Sequence, residues 1–277
     1  MSDTDDTGTV SLNELPEPVC ENIVRDIGSF SVALFGISNS TGDERLTFCG
    51  SGTLVSSGDF RYILTATHVW TKKLRAAEQL ALTLVEGASH RFAIDTQTVT
   101  PDISFGPGAM EEWGPDFCFL RIPPAYVGRI EVYKTFYNLD KRREHALTSQ
   151  LERDAGPCVL MGSPSELFDE LSDKHANWQF PGWFSRIQDV HSREGFDYLD
   201  VGVDLSLSGI PSSFGGVSGG GLWQVLIGRS TQTGDFLWKR NLEGVAFYAS
   251  PAVAGRRIIR CHGRHSIYGN MPHKAAV

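Results

Sequence analysis

The sequence predicts an all-β protein made of two β-rich halves with about six strands each. Short apolar runs of strand length recur between turn signals such as Gly42-Asp43 and Gly58-Asp59. The regular alternation of strand and helix patterns that builds a parallel sheet is missing. A charged, helix-like stretch interrupts the β pattern near the middle of the chain.

Residues 1–27 are acidic and turn-rich and read as a flexible arm, with one short helix near Val19 to Asp26. Over 28–123 the strand-like runs are Ser31–Ile37, Leu46–Val55, Tyr62–Ala66, Leu80–Val85, Arg91–Ile94 and Phe117–Ile122, a first β unit. Residues 124–155 are charged, carry a helix-like stretch from Leu139 to Glu152, and read as an interdomain linker. The β pattern resumes over 156–277 at Cys158–Met161, Trp183–Ile187, Tyr198–Val203, Leu222–Ile227, Leu242–Tyr248 and Arg257–Cys261. One helix is expected inside this second unit. Ser163 can cap it, Pro164 can occupy its first position, and Glu166 stands three residues after the cap, leading into Leu167–Lys174. No internal sequence repeat is visible, so the duplication rests on pattern alone.

At 277 residues and 41% hydrophobic content, the chain can bury a sizeable core as one large domain or two small barrels. No apolar run approaches the ~20 residues that span a bilayer, so no membrane partner is expected. The acidic start Met1-Ser2-Asp3-Thr4-Asp5-Asp6 lacks the basic-then-apolar order of a secretory signal, and a cytoplasmic location is the expectation. Net charge is −8 and the densest basic cluster, Lys141-Arg142-Arg143, runs directly into Glu144, so no nucleic-acid partner is expected. The five cysteines have no regular spacing and read as buried free thiols, which suits a reducing compartment. Cys261-His262 with His265 lacks the second cysteine pair of a zinc site, and no cofactor or metal is expected.

Three segments carry chemistry. In Gly216-Val217-Ser218-Gly219-Gly220, a serine flanked by glycines can present its hydroxyl on a sharp turn whose N–H groups point at one spot. Serine is a poor nucleophile at its own pKa and needs a neutral imidazole to take its proton. His68 closes the run Ile63-Leu64-Thr65-Ala66-Thr67-His68 and leads into a helix-like segment, which no other histidine does after so clear an apolar run. Asp116 stands at the mouth of Phe117-Cys118-Phe119-Leu120, where a buried carboxylate needs hydrogen bonds. Holding the Nδ1 proton of His68 would supply one and fix the useful tautomer. Asp95 and Asp102 are rival acids without a comparable apolar run after them.

With Phe48-Cys49-Gly50-Ser51-Gly52-Thr53-Leu54-Val55 added, these motifs, in the order His68, Asp116, Ser218, resemble the trypsin/chymotrypsin-like serine peptidase family. The resemblance implies two six-stranded antiparallel Greek-key barrels, with His68 and Asp116 on the first and Ser218 on the second. It implies an oxyanion hole from the N–H groups of Gly216 and Ser218, and a protein or peptide substrate. It also places Ser212 at the base of the primary pocket and Phe247-Tyr248-Ala249 on the strand that lines it. With no acid at Ser212, small or apolar side chains are expected there rather than Arg or Lys.

The chain departs from the secreted members. Val217 stands where they have an aspartate, no Ile-Val-Gly-Gly activation sequence precedes the first unit, and Val69 replaces the cysteine that would pair with Cys49. The resemblance is therefore to a bacterial-type, non-zymogen peptidase. Without an N-terminal ion pair the Gly216 peptide is free to flip, and an activating protein partner or the substrate is expected to complete the oxyanion hole. Two rival readings stand beside this one. An α/β-hydrolase would use Ser218, Asp235 and His262 or His265, but needs a helix after the serine, where Leu222-Trp223-Gln224-Val225-Leu226 reads as a strand. The other is a catalytically silent protease-fold module that binds peptides.

Overall fold

The computed structural model of the chain describes residues 14–39, 44–85, 92–106, 112–148, 156–172 and 175–272. The first sheet holds β1 (Ser31–Ser38), β2 (Arg45–Ser57), β3 (Phe60–Thr65), β4 (Gln79–Thr83), β5 (Phe92–Asp95), β6 (Thr100–Phe105) and β7 (Phe117–Arg121), in the order β5-β4-β1-β2-β3-β7-β6. The two edge strands, β5 and β6, are consecutive in the chain and joined by a single 3-10 turn at Thr96–Thr98. The sheet therefore curls until one bent segment connects its edges.

The second unit is a closed barrel of β9 (Cys158–Met161), β12 (Gly182–Arg193), β13 (Phe196–Asp204), β14 (Gly221–Arg229), β15 (Phe236–Ala249) and β16 (Arg256–Gly263). Its cyclic order is β9-β12-β13-β16-β15-β14. Counting β5 and β6 as one bent strand, both units run first-second-third-sixth-fifth-fourth, all antiparallel. The all-β, two-barrel Greek-key expectation holds.

Each unit has its own apolar interior, and a third core lies between them. Leu34, Leu54, Ile63, Leu82, Cys118 and Leu120 fill the first, while Leu160, Trp183, Leu199, Leu222 and Cys261 fill the second. The shared core joins Tyr62, Leu64, Phe117 and Phe119 of the curled sheet to Val159, Trp223, Val225 and Val245 of the barrel. Strand alternation explains this: successive residues of β3 and β7 face opposite sides, one into their own interior and the next into the interface. The two units are thus packed face to face.

Several elements differ from the sequence expectation. The short helix expected near Val19 to Asp26 forms as α1 (Glu17–Gly28), but it is not part of a flexible arm, because its Ile23 and Ile27 are fully buried in the shared core. They lie one turn apart on one face, and burying each contributes ~1.5–3 kcal/mol, enough to order a short helix. Residues 1–13 of that arm lie outside the described residues. Within 124–155 the helix-like stretch expected from Leu139 to Glu152 appears as α4 (Asp140–Thr148), while α3 (Pro124–Glu131) and β8 (Tyr137–Asn138) were not expected; β8 pairs with β2, and Ile130 and Leu139 are fully buried.

The helix expected at Leu167–Lys174 does not form over the described residues 167–172, and residues 173–174 lie outside the described residues. A single 3-10 turn at Ser165–Leu167 leads into β10 (Phe168–Ser172), which pairs with β11 (His175–Trp178). The residues that read as its cap are committed elsewhere. Ser163 Oγ donates to Gln179 O, and Glu166 receives three hydrogen bonds from Ser212 and Ser213. Helices α2 (Thr67–Lys72) and α5 (Arg264–Gly269) complete the fold. Among the described residues, no helix is long and apolar enough to cross a membrane.

Candidate active site

His68 is the second residue of α2. Val69 and Trp70 on the same helix are buried in the interior of the curled sheet, which pins the turn that carries the imidazole. Asp116 lies in the loop before β7 and is 3% exposed. Its carboxylate takes two hydrogen bonds from one residue: His68 N donates to Oδ1 at 2.9 Å, and His68 Nδ1 lies 2.5 Å from Oδ2. These bonds compensate the desolvation of a buried carboxylate. They also put the ring proton on Nδ1, so the basic lone pair of neutral His68 sits on Nε2.

Behind the acid, Asp116 N donates to His262 Nε2 at 2.9 Å. His262 lies on β16 and is fully buried. Burial pushes its pKa down to about 3, with the Asp116 charge opposing that shift. The ring is therefore neutral at physiological pH and acts as an acceptor.

Ser218 lies in the loop between β13 and β14, and the curled sheet holds that loop. Ser51 N donates to Ser218 O at 2.9 Å, Ser51 Oγ donates to Gly216 O at 2.8 Å, and Thr53 Oγ1 donates to Gly219 O at 3.2 Å. Two glycines are needed here. Gly216 has φ +94° and Gly219 φ +91°, and a Cβ at Gly219 would collide with Ser51 O and Thr65 Oγ1. Ser165 N donates to Gly215 O at 2.6 Å. In a trans peptide the N–H points opposite to the carbonyl, so this bond sets the direction of Gly216 N–H. Among the described residues, neither Gly216 N nor Ser218 N has a hydrogen-bond partner.

The Ser218 hydroxyl donates to Phe247 O at 3.4 Å, not to His68. The register of β15 against β16 shifts between Ala246 and Tyr248, and this bulge takes Phe247 out of the ladder. The Phe247 ring is buried and stacks on His262 with centroids 4.5 Å apart. The structure thus joins His68 to Asp116, Asp116 to His262, His262 to Phe247, and Phe247 to Ser218.

The other candidates are placed as follows. Ser212 is exposed, and its N and Oγ donate to Glu166 at 2.7 and 2.6 Å. Tyr248 and Ala249 are half-buried at the end of β15. The rival acids have other partners: Asp95 caps the Thr96–Thr98 turn, and Asp102 pairs with Arg121 and accepts from Tyr62. The α/β-hydrolase reading fails because β14, not a helix, follows Ser218, and because His262 is bound to Asp116 rather than to the exposed Asp235. His90 and His273 lie outside the described residues.

The five thiols are free, and burial raises all of their pKa values, to about 11 for Cys49 and about 12 for Cys158. None is a thiolate that competes with Ser218 as nucleophile. Among the described residues, no cluster of His, Cys, Asp and Glu is arranged to hold a metal ion. Sequence reasoning missed the roles of Ser51, Glu166 and His262. Only Ser51 carried a signal, being the central residue of the Gly50-Ser51-Gly52 motif.

No protein-family model matches the sequence, and no curated protein matches it. In three dimensions the chain is similar to the active form of the Rv3671c protease from M. tuberculosis, at 14% identity and TM-score 0.48, covering 97% of this chain and 90% of that one. It is also similar to the tobacco vein mottling virus protease, at 12% identity and TM-score 0.37 over 85% of this chain and 77% of that one. A mutant tobacco etch virus protease gives 12% identity and TM-score 0.37 over 86% of this chain and 74% of that one.

Proposed function

We propose that the chain is a serine endopeptidase in which Ser218 is the nucleophile, His68 the general base and Asp116 the residue that orients and stabilises the imidazole. The observation that carries this reading is the paired grip of Asp116 on His68 N and Nδ1, which leaves Nε2 as the base. In the reaction, Ser218 Oγ attacks the scissile carbonyl carbon while its proton passes to His68 Nε2. The Gly216 and Ser218 N–H groups receive the oxyanion. His68 then protonates the leaving amine as the C–N bond breaks. Water, deprotonated by His68, hydrolyses the acyl-enzyme and restores Ser218.

This path requires the Ser218 hydroxyl to exchange its bond to Phe247 O for one to His68. The Gly215 and Gly216 carbonyls are anchored by Ser165 and Ser51, within the chain. That favours a loop that holds its shape without an activating partner. The silent-module reading is favoured by one observation, the engagement of Ser218 Oγ with Phe247 O.

Incubation of unfolded casein with the wild-type chain and with Ser218→Ala separates the readings. The proposal predicts cleavage by the wild type and none by the variant. Equal cleavage by both would overturn the role of Ser218, and cleavage by neither would favour the silent module.

A further inference from the structure

We infer that His262 is a positioning residue for this site, holding the main chain of Asp116 from the opposite barrel so that its carboxylate meets both His68 N and His68 Nδ1. The inference rests on the triad reading above and extends it to a residue on β16.

The contact itself is direct. Asp116 N donates to His262 Nε2 at 2.9 Å, and His262 is the side chain that satisfies this amide. It belongs to a larger grip on the segment leading to the acid. Arg260 and His262, two apart on β16, face the same way. Arg260 Nη1 donates to Glu112 O at 3.0 Å, and its guanidinium lies 3.5 Å from the centre of the Trp113 ring. Asp200 holds that guanidinium in place with two bonds, at 2.7 and 2.9 Å. On the neighbouring strand Tyr198, in register with His262, donates to Trp113 O at 3.2 Å. Side chains of the barrel therefore set the path of residues 112–116, which carry a carboxylate that acts in the curled sheet's half of the site.

A purely structural account of His262 is weaker. The ring sits among Phe117, Tyr198, Phe196 and Phe247, where phenylalanine would fill the same space. Because Nε2 is the acceptor, the ring proton is on Nδ1, and among the described residues Nδ1 has no partner. A buried, unsatisfied N–H is unfavourable. Histidine at this position therefore gains nothing over phenylalanine except the acceptor it offers to Asp116. The same ring stacks on Phe247, whose carbonyl accepts from Ser218 Oγ, so one side chain contacts both arms of the site.

The test compares His262→Gln, which can place an acceptor oxygen near the position of Nε2, with His262→Phe, which keeps the ring volume and loses the acceptor. Two readouts are taken on the full chain: the rate of fluorophosphonate labelling at Ser218, and the downfield NMR resonance of the His68 Nδ1 proton, assigned by its loss in Asp116→Asn. A misplaced catalytic group costs up to ~10²-fold, so His262→Phe should label ~10–100-fold more slowly and lose or shift the resonance. His262→Gln should recover most of the rate and keep the resonance. Equal rates and an unchanged resonance in His262→Phe would overturn the inference. If the wild type does not label, the triad reading fails, and the resonance alone decides whether His262 positions Asp116. Should His262→Phe not fold, His262→Asn replaces it, because its shorter amide stops short of Asp116 N.

Discussion

Ser51 of the curled sheet donates its hydroxyl to the carbonyl of Gly216, 2.8 Å away across the interface, in the turn that presents Ser218. The same oxygen accepts from Ser163 N at 2.9 Å, and the Ser51 amide donates to Ser218 O. One small buried side chain thus ties the loop that carries Ser218 to the half of the molecule that holds His68 and Asp116.

Ser51→Ala should therefore weaken both stability and reactivity. It removes the donor to Gly216 O and leaves the buried Ser163 N–H without its acceptor. The buried Ser163 N–H left unpaired costs ~1–3 kcal/mol and the lost bond to the part-buried Gly216 O ~0.5–1.5 kcal/mol, so urea unfolding should show a loss of roughly 2–4 kcal/mol, with slower labelling at Ser218. An unchanged urea midpoint would mean that these bonds do not hold the loop.

Gly219 and Gly234, two of the positive-φ glycines, should respond differently to alanine. At Gly219 the backbone has φ +91° and a Cβ meets Ser51 O and Thr65 Oγ1, so Gly219→Ala should lose at least ~3 kcal/mol of stability and all labelling. At Gly234, φ is +76° but the space is open, and Gly234→Ala should lose only ~1 kcal/mol and label normally. Thermal unfolding of the pair checks this. Equal losses would show that steric closure around Gly219 is not the cause.

The reach of the sequence has a physical limit that these residues illustrate. Cys158–Met161 could be read residue for residue because four consecutive apolar residues between turn signals have the length of a buried strand and are too short for a helix. His68 and Asp116 were legible because each closes or opens an apolar run. β6 was not, because Thr100–Phe105 is an edge strand with Pro101 and mixed polarity, and its identity depends on β7. The helix α1 was read near Val19 to Asp26, but the acidic composition around Ile23 and Ile27 hid that it packs into the shared core. The bond from Asp116 to His262 spans 146 residues, and nothing near either residue announces it. Glu166 reads as a helix cap until the loop at Ser212 and Ser213 is seen to take its carboxylate.

Asp116→Asn should leave the fold intact and cut kcat on a peptide substrate by ~10⁴. An amide can place its NH₂ toward His68 Nδ1, which would favour the tautomer with the proton on Nε2 and remove the base. Steady-state kinetics beside a circular dichroism spectrum checks this. A loss below ~10-fold would mean that His68 does not depend on Asp116 for its tautomer.

Glu243 supplies a pH prediction for stability. Burial raises its pKa from 4.5 to about 7, with Arg264 opposing and Asp197 adding to the shift. The folded state binds this proton more tightly than the unfolded chain does. The contribution is therefore fully present below pH 4.5 and is lost as pH rises through 7. Arg264 Nη1 lies 3.8 Å from Glu243 Oε2, so the size of the effect also depends on that pair, but the stability of Glu243→Gln relative to wild type should be higher at pH 8 than at pH 4.5. Urea titrations at the two pH values decide it, and a pH-independent difference would contradict the assignment.

The most direct test of the central claim is fluorophosphonate labelling of the unmodified chain at neutral pH, with the modified residue located by peptide mass spectrometry. The triad reading predicts a single adduct on Ser218 that is absent in His68→Ala. No adduct on Ser218, or one that persists undiminished without His68, would contradict it.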